Sequence, residues 1–496
     1  MINQLNPFET VTGYNKLGRP IYALLVLGVS SLLSFLIAKS GLMAGIGLIF
    51  LPFILVYLYL LFKFPILGLY TAISLGFIIL GLSRYIKGLP MGMAMDGILF
   101  LTFIALIFNR FKERIDWTAA KKDITLLAAI WFAYSIFQVI NPESKSIPAW
   151  LAGMRGISLY MMLIVPLTLL LLNTNKKLDV FLMLWAVFSF LASLKGIIQN
   201  TIGVDPWEKA WLDGGGAVTH VLFGKLRIFS FLSDAGQFGA NQAYSAVVAF
   251  IVSTVEKNTK RRLFFILVGV LGLYGMLLSG TRGSISVPLA GFALYFILKK
   301  NKAVMISGFF LLIVVFVFFK FTNIGQDNQQ IRRMRSAFDP NDPSLQVRLE
   351  NQRKLKVYLA SRPFGGGIGH AGVKAQKYLP NAFLSNVATD SWYVLIWAEQ
   401  GIVGLLLHLF ILFYVIIKTT FLVWFHLRDP VLKTKISALA SGMFGIMVAS
   451  YGNAVFAMPT GIIIYVAMAL MLSSKSLDVE ANSINQTAIN QTVLKQ

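Results

Sequence analysis

The sequence predicts an all-α polytopic membrane protein of about fourteen transmembrane helices, with a large extracytoplasmic loop that itself contains helices. Three observations predict it. The 496 residues are 57% hydrophobic and only 13% charged, about half the charged share of a soluble globular chain. The apolar residues fall in runs of the length that crosses a bilayer. The basic clusters in five short connections between those runs all fall on one side when fourteen helices are threaded through a membrane.

A water-soluble fold of this length must turn part of its chain to solvent and cannot hide so much apolar surface. A formal charge of +23 would point to nucleic acid in a soluble protein. Here the charge belongs largely to loops that orient the chain, and no nucleic-acid partner is expected. Cysteine is absent, so no disulfide holds any segment and no thiolate metal site exists. His220, His370, His408 and His426 are scattered, without metal-ligand spacing. Neither metal nor cofactor is expected. Residues 1–19 lack the cleavage pattern of a signal peptide, and the apolar run 20–38 is followed by Lys39 and a second run. It is read as the first helix.

Uncharged runs of spanning length occupy 20–38, 40–62, 64–83, 124–142, 156–175, 235–255 and 263–281. Shorter ones at 283–298, 303–319 and 400–417 are bounded by charge. Spans at 88–109 and 178–199 are not free of charge: the first contains Asp96 and the second contains Lys195. The stretch 436–474 is too long for one crossing. Gly452-Asn453 and Met458-Pro459 near its middle make it a helical hairpin.

The basic connections are Arg110 to Arg114 with Lys121 and Lys122, Lys176-Lys177, Lys257 to Arg262, Lys299 to Lys302, and Lys433 with Lys435. They define the cytoplasmic side, and both termini share it. The expected organisation is a bundle over 1–319 with an outer loop at 200–234, a large extracytoplasmic loop over 320–389, three further helices over 390–474, and a disordered cytoplasmic tail over 475–496. Residues 321–389 hold ten Lys or Arg and four Asp or Glu, a net of +6. Long loops are not bound by the orientation rule, but so basic a loop needs a reason.

Several groups could carry chemistry there. Asp342-Pro343 starts a helix that Arg362-Pro363 ends, with Arg348, Gln352, Leu355 and Leu359 on one face. This helix either serves a ligand or rests on anionic headgroups. Ser279-Gly-Thr-Arg282-Gly-Ser284 puts Arg282 between two apolar helices at the outer mouth. It could snorkel there, but the flanking glycines let a ligand approach, and guanidinium grips phosphate with paired hydrogen bonds. Arg227 lies in the first outer loop, where it is a binding group or a solvated side chain. Asp390 opens the twelfth helix, as a catalytic acid or a cap. Three arginines and one carboxylate on the outer side suit a lipid-linked diphosphate.

The chain resembles the O-antigen ligase and polymerase family. The resemblance rests on Ser279-Gly-Thr-Arg282-Gly-Ser284, on Arg348 upstream of Arg362-Pro-Phe-Gly-Gly-Gly-Ile-Gly369, and on Asp390-Ser-Trp-Tyr-Val-Leu-Ile-Trp-Ala-Glu399-Gln-Gly401. It implies a membrane glycosyltransferase of GT-C type in the bacterial inner membrane. That enzyme would polymerise undecaprenyl-diphosphate-linked oligosaccharides by inverting, metal-independent transfer. Arg227, Arg282 and Arg348 would bind the diphosphate, with Arg362 and His370 beside the substrate and Asp390 and Arg282 in catalysis. The family's histidine of a His-Asn pair falls at Asp390-Ser391. Either Asp390 takes over as general base or His370 does; Asp390 is preferred. The alternatives are a ligase that transfers glycan to lipid A core or protein, and a flippase for lipid-linked oligosaccharide. Membrane lipids are partners, and a chain-length regulator protein is left open.

Overall fold

The structure is a computed structural model that describes residues 20–493 apart from 41, 87–90, 110–114 and 223. The N-terminal residues 1–19, the basic run Arg110 to Arg114 and the last three residues of the tail lie outside the described residues. The chain divides into two units, one ending at Phe64 and one beginning at Pro65.

The first unit consists of α1 (Pro20–Ser40) and α2 (Leu42–Lys63), each apolar along its length. Phe53 and Tyr59 of α2 point outward. Outward-facing apolar side chains suit lipid rather than water.

The second unit begins with α3 (Ile66–Leu82), α4 (Met91–Asn109) and α5 (Asp123–Phe137). A continuous helical stretch follows: α6 (Ile147–Met154), a π-turn over Arg155–Leu159, and α7 (Tyr160–Leu171). Then come α8 (Asn175–Thr201), the short α9 (Pro206–Trp211) and α10 (Ala217–His220), and a two-residue antiparallel pair, β1 (Val221–Leu222) with β2 (Lys225–Leu226). That pair is a small departure from the all-α expectation. The chain continues through α11 (Ala235–Ser253), α12 (Thr259–Leu278), α13 (Ser286–Leu298) and α14 (Lys302–Phe321). The large loop carries α15 (Gln329–Arg335) and α16 (Pro343–Leu359). The unit closes with α17 (Trp392–Phe425), α18 (Pro430–Ala449) and α19 (Thr460–Val493). Among the described residues, nine helices are long and apolar enough to cross a membrane. The chain is an all-α multi-pass membrane protein.

Caps set where many of these helices start. Thr174, Asp234, Asn258, Asn301, Ser391 and Asp429 each accept a hydrogen bond from a backbone N–H of the first turn, which satisfies donors that a helix N-terminus otherwise leaves unpaired.

Helices α7, α11, α18 and the first half of α19 form the buried centre of the second unit, with α13 packed against α18, while α14 is almost wholly exposed. Small residues allow this close packing. A Cβ at Gly291 would sit 2.9 Å from the Ser441 carbonyl, and one at Gly445 would sit 2.4 Å from the Val287 carbonyl.

Two features shape the end of the second unit that bears the large loop. Arg84, buried after α3, donates to the carbonyls of Ser230, Leu232 and Ser233 and lies over the rings of Trp211 and Phe229. It ties down the loop between α8 and α11. Helix α17 is broken at Gly401, whose φ of 68° and ψ of −168° suit only glycine. The turn after Pro363 fills the break. Gly366 N–H donates to the Ala398 carbonyl and Gly367 N–H to the Glu399 carbonyl, while Val403 N–H donates to Pro363. Irregular backbone at membrane depth persists when protein groups satisfy it in this way. Gly401→Ala puts a Cβ 2.0 Å from the Pro363 carbonyl. It is expected to cost at least about 3 kcal/mol, strain and clash together. Thermal unfolding in detergent reads this directly, and an unchanged melting temperature would show that the break is dispensable.

The expectation of a disordered tail after Ser474 is corrected. Helix α19 runs on to Val493. Its extension is held because Asp478 accepts from the Arg428 and Asp429 N–H groups and Glu480 accepts from Asn175. These are tertiary contacts with connections far away in sequence.

Candidate active site

The turn that begins with Ser279 is built by its own side chains. Thr281 N–H donates to Ser279 Oγ, and the Thr281 hydroxyl donates to the Ala235 carbonyl. Gly280 takes a positive φ of 57°, which turns the chain sharply just before Arg282. Arg227 docks on this turn. It donates to the carbonyls of Ser279 (3.4 Å) and Thr219 (3.1 Å) and to the Thr281 hydroxyl (3.1 Å). It is thus an ordered group and no solvated loop side chain.

Arg282 forms an ion pair with Asp342 and a 3.2 Å hydrogen bond to the Ser336 hydroxyl. Asp342 is also the cap of α16, accepting from Leu345 N–H. Burial works against the charge on Asp342, but Arg282 outweighs it and holds the carboxyl below its ordinary range. Six residues along, about 9 Å on the helix axis, Arg348 reaches Asp390 with Nε 3.3 Å from Oδ2. Leu355 and Leu359, on the face expected for them, are buried with Leu384, Val387 and Ala398. Helix α16 therefore bridges Arg282 at one end and Asp390 two turns later. Asp390 is half exposed, and Ser391 beside it is the residue that caps α17.

Arg333 of α15 completes the group. Its stem lies over Gly280, with Cδ 3.1 Å from where a Cβ would be, and its Nε is buried without a hydrogen-bond partner among the described residues. Burial lowers its pKa to about 10, and the neighbouring charges of Arg227 and Arg282 push the same way. Burial likewise lowers Arg227; Asp234 opposes this, while Arg282 and Arg348 reinforce it. The four arginines are close enough to feel one another. Lys225, Arg227, Gln329 and Arg333 line a cavity of about 300 Å³ between the α8–α11 loop and the large loop. Asn453, in the turn between α18 and α19, presses its Nδ2 against Gly283, and that atom too lacks a partner among the described residues. Buried donors without partners, next to clustered positive charge, are suited to an oxyanion such as diphosphate.

Arg362 and His370 are placed elsewhere. Arg362 pairs with Glu143 at 2.9 Å and lies over the Tyr358 ring. His370 Nδ1 lies 2.8 Å from the Ile368 carbonyl, and Ser146 N–H donates to Nε2. A carbonyl partner requires Nδ1–H, and an N–H partner requires the Nε2 lone pair. The ring is therefore neutral and has no lone pair to spare. Burial lowers its pKa in agreement; the Ile368 carbonyl opposes this and Lys145 adds to it. Both residues fasten the large loop to the turn between α5 and α6.

Arg333 and Asn453 are not among the candidate site residues read from the sequence, where Asn453 stands only as a turn residue. The run Arg332-Arg333-Met-Arg335 carries a signal of charge but does not say which member turns inward: Arg332 is exposed, and Arg335 is spent on Thr322 and Ile324.

No curated protein matches the chain. Residues 267–409 match the family model described as O-antigen ligase. The matched segment covers less than a third of the chain but holds Arg282, Arg333, Arg348 and Asp390, with Arg227 outside it. Over this segment the chain is similar to the O-antigen ligase family.

Proposed function

We propose that the protein is a membrane glycosyltransferase that polymerises undecaprenyl-diphosphate-linked oligosaccharide units into a surface polysaccharide. The observation that carries this reading is the convergence of Arg227, Arg282, Arg333 and Arg348 at the end that bears the large loop, beside a single half-exposed carboxylate. Asp390 accepts the proton of an acceptor sugar hydroxyl as that oxygen attacks the anomeric carbon of the donor. The bond from that carbon to the diphosphate breaks, and polyprenyl diphosphate leaves with the electron pair. Arg227, Arg282 and Arg333 stabilise its growing charge, the role that a divalent metal fills in other phosphate chemistry. Attack from the opposite face inverts the anomeric centre.

In this reading the chain makes about fourteen crossings of a bacterial inner membrane with a GT-C-like arrangement. Both termini are cytoplasmic and the arginines face outward. The description of the matched family favours a second reading, a ligase that hands glycan to a different acceptor. Purified protein given only lipid-linked oligosaccharide separates the two. The polymerase reading expects lipid-linked products lengthened by whole units. No lengthening until lipid A core or an acceptor protein is added would establish the ligase instead.

A further inference from the structure

A second cavity, of about 330 Å³, is lined by Trp392, Leu395 and Glu399 of α17, residues other than those of α17 that face Arg348. Its roof is the large-loop segment from Gly369 to Tyr378, and its floor is the π-turn that begins at Arg155. Aromatic faces make its walls: Trp392 and Phe456 are stacked at 5.5 Å, and Tyr160, Tyr378 and Tyr465 complete them. Cavities of this volume hold small-molecule groups.

Three charged side chains line an otherwise apolar space: Arg155, Lys374 and Glu399. Arg155 is paired with Asp96 at 3.1 Å. Glu399 is only 3% exposed. One of its carboxylate oxygens accepts from Ala371 N–H, and the other has no hydrogen-bond partner among the described residues. Leaving that oxygen unpaired in an apolar chamber is costly. A polyprenyl chain in the cavity could not relieve the cost, because it has no donor. A hydroxylated ring could. One hydroxyl would donate to Glu399 while the ring's C–H faces lie on the aromatic walls.

We propose that this cavity is a saccharide subsite, holding one sugar ring of the glycan substrate with a hydroxyl donating to Glu399. Asp390 and Trp392 are two residues apart, so the subsite begins where the proposed base ends. The inference rests on the glycan-transfer reading above and adds where the sugar is gripped. The loop segment that roofs the cavity is the one that His370 fastens through Ile368 and Ser146.

Gly156 gives a way to fill the cavity. A Cβ there would meet no atom within 4 Å, so Gly156→Leu places its side chain in open space. Two probes are used on full-length protein in nanodiscs. One is undecaprenyl diphosphate without sugar. The other is the oligosaccharide released by mild acid from lipid-linked material of cells that lack this chain. Gly156→Leu and Glu399→Gln are each expected to weaken oligosaccharide binding at least tenfold and to leave undecaprenyl diphosphate binding unchanged. Equal oligosaccharide binding by wild type and both variants overturns the proposal, as does absence of binding by wild type. Loss of undecaprenyl diphosphate binding by folded Gly156→Leu overturns it in favour of a prenyl-chain pocket. Should Gly156→Leu fail to fold, Glu399→Gln decides alone. Failure of the diphosphate reading looks different: Arg333→Ala would then bind undecaprenyl diphosphate normally.

Discussion

Arg333→Ala is expected to lower the rate of glycan transfer about a hundredfold, the usual cost of about 3 kcal/mol for one donor that stabilises developing charge. The same change is expected to leave the empty protein as stable as wild type or more so. The two effects have one cause. Arg333 is partly buried, its Nε has no partner among the described residues, and Arg227 and Arg282 repel it. The acid nearest to this group, Asp342, is already engaged by Arg282. The cluster therefore stores repulsion that an incoming diphosphate relieves, and removing one cation relieves it too. Sites tuned for a ligand commonly trade stability for function in this way. An arginine that only braced the loop would behave oppositely, losing stability with little change in transfer. Melting temperature and product formation measured on the same preparation distinguish the two. Wild-type transfer by Arg333→Ala would remove Arg333 from the site.

Asp390→Asn is expected to abolish measurable transfer, by about a thousandfold, the middle of the range for general-base groups. Binding of bare undecaprenyl diphosphate should persist, because the arginines that line the basic cavity are untouched. Asparagine keeps the size of the side chain and can still accept from Arg348, but it cannot take a proton from an attacking hydroxyl. Ser391 rather than Asp390 caps α17, so the helix should start normally. Polymer of ordinary length from correctly inserted Asp390→Asn would take this residue out of the chemistry. His370 is a poor substitute, since both of its ring nitrogens are engaged.

Much of this arrangement was legible in the residues alone. Asp342-Pro343 announced the start of α16, and Leu355 and Leu359 lie on its buried face as their spacing required. Gly452-Asn453 and Met458-Pro459 fall in the turn between α18 and α19. The cluster of Arg227, Arg282 and Arg348 came from their places between apolar runs. What misled was local ambiguity. Arg333 sits among three similar arginines, and sequence spacing on a two-turn helix does not say which one faces a cavity. Asn453 read only as a turn residue. The polar segment after Ser474 has the composition of a disordered tail, yet contacts to Asn175, Arg428 and Asp429 hold the start of its helix.

By itself the sequence determined the class of fold and the all-helical, membrane-spanning character of the chain. Those follow from hydropathy and segment length, which depend only on neighbours along the chain. Only the tertiary structure decided that Arg282 and Asp390 are joined through α16, that Arg333 turns inward, and that Arg362 and His370 are occupied elsewhere. It alone placed Glu399 in an aromatic chamber behind the site. These are questions of which distant groups meet, and a guanidinium or an imidazole looks the same in sequence whether its donors are spent on a carbonyl or left for a ligand.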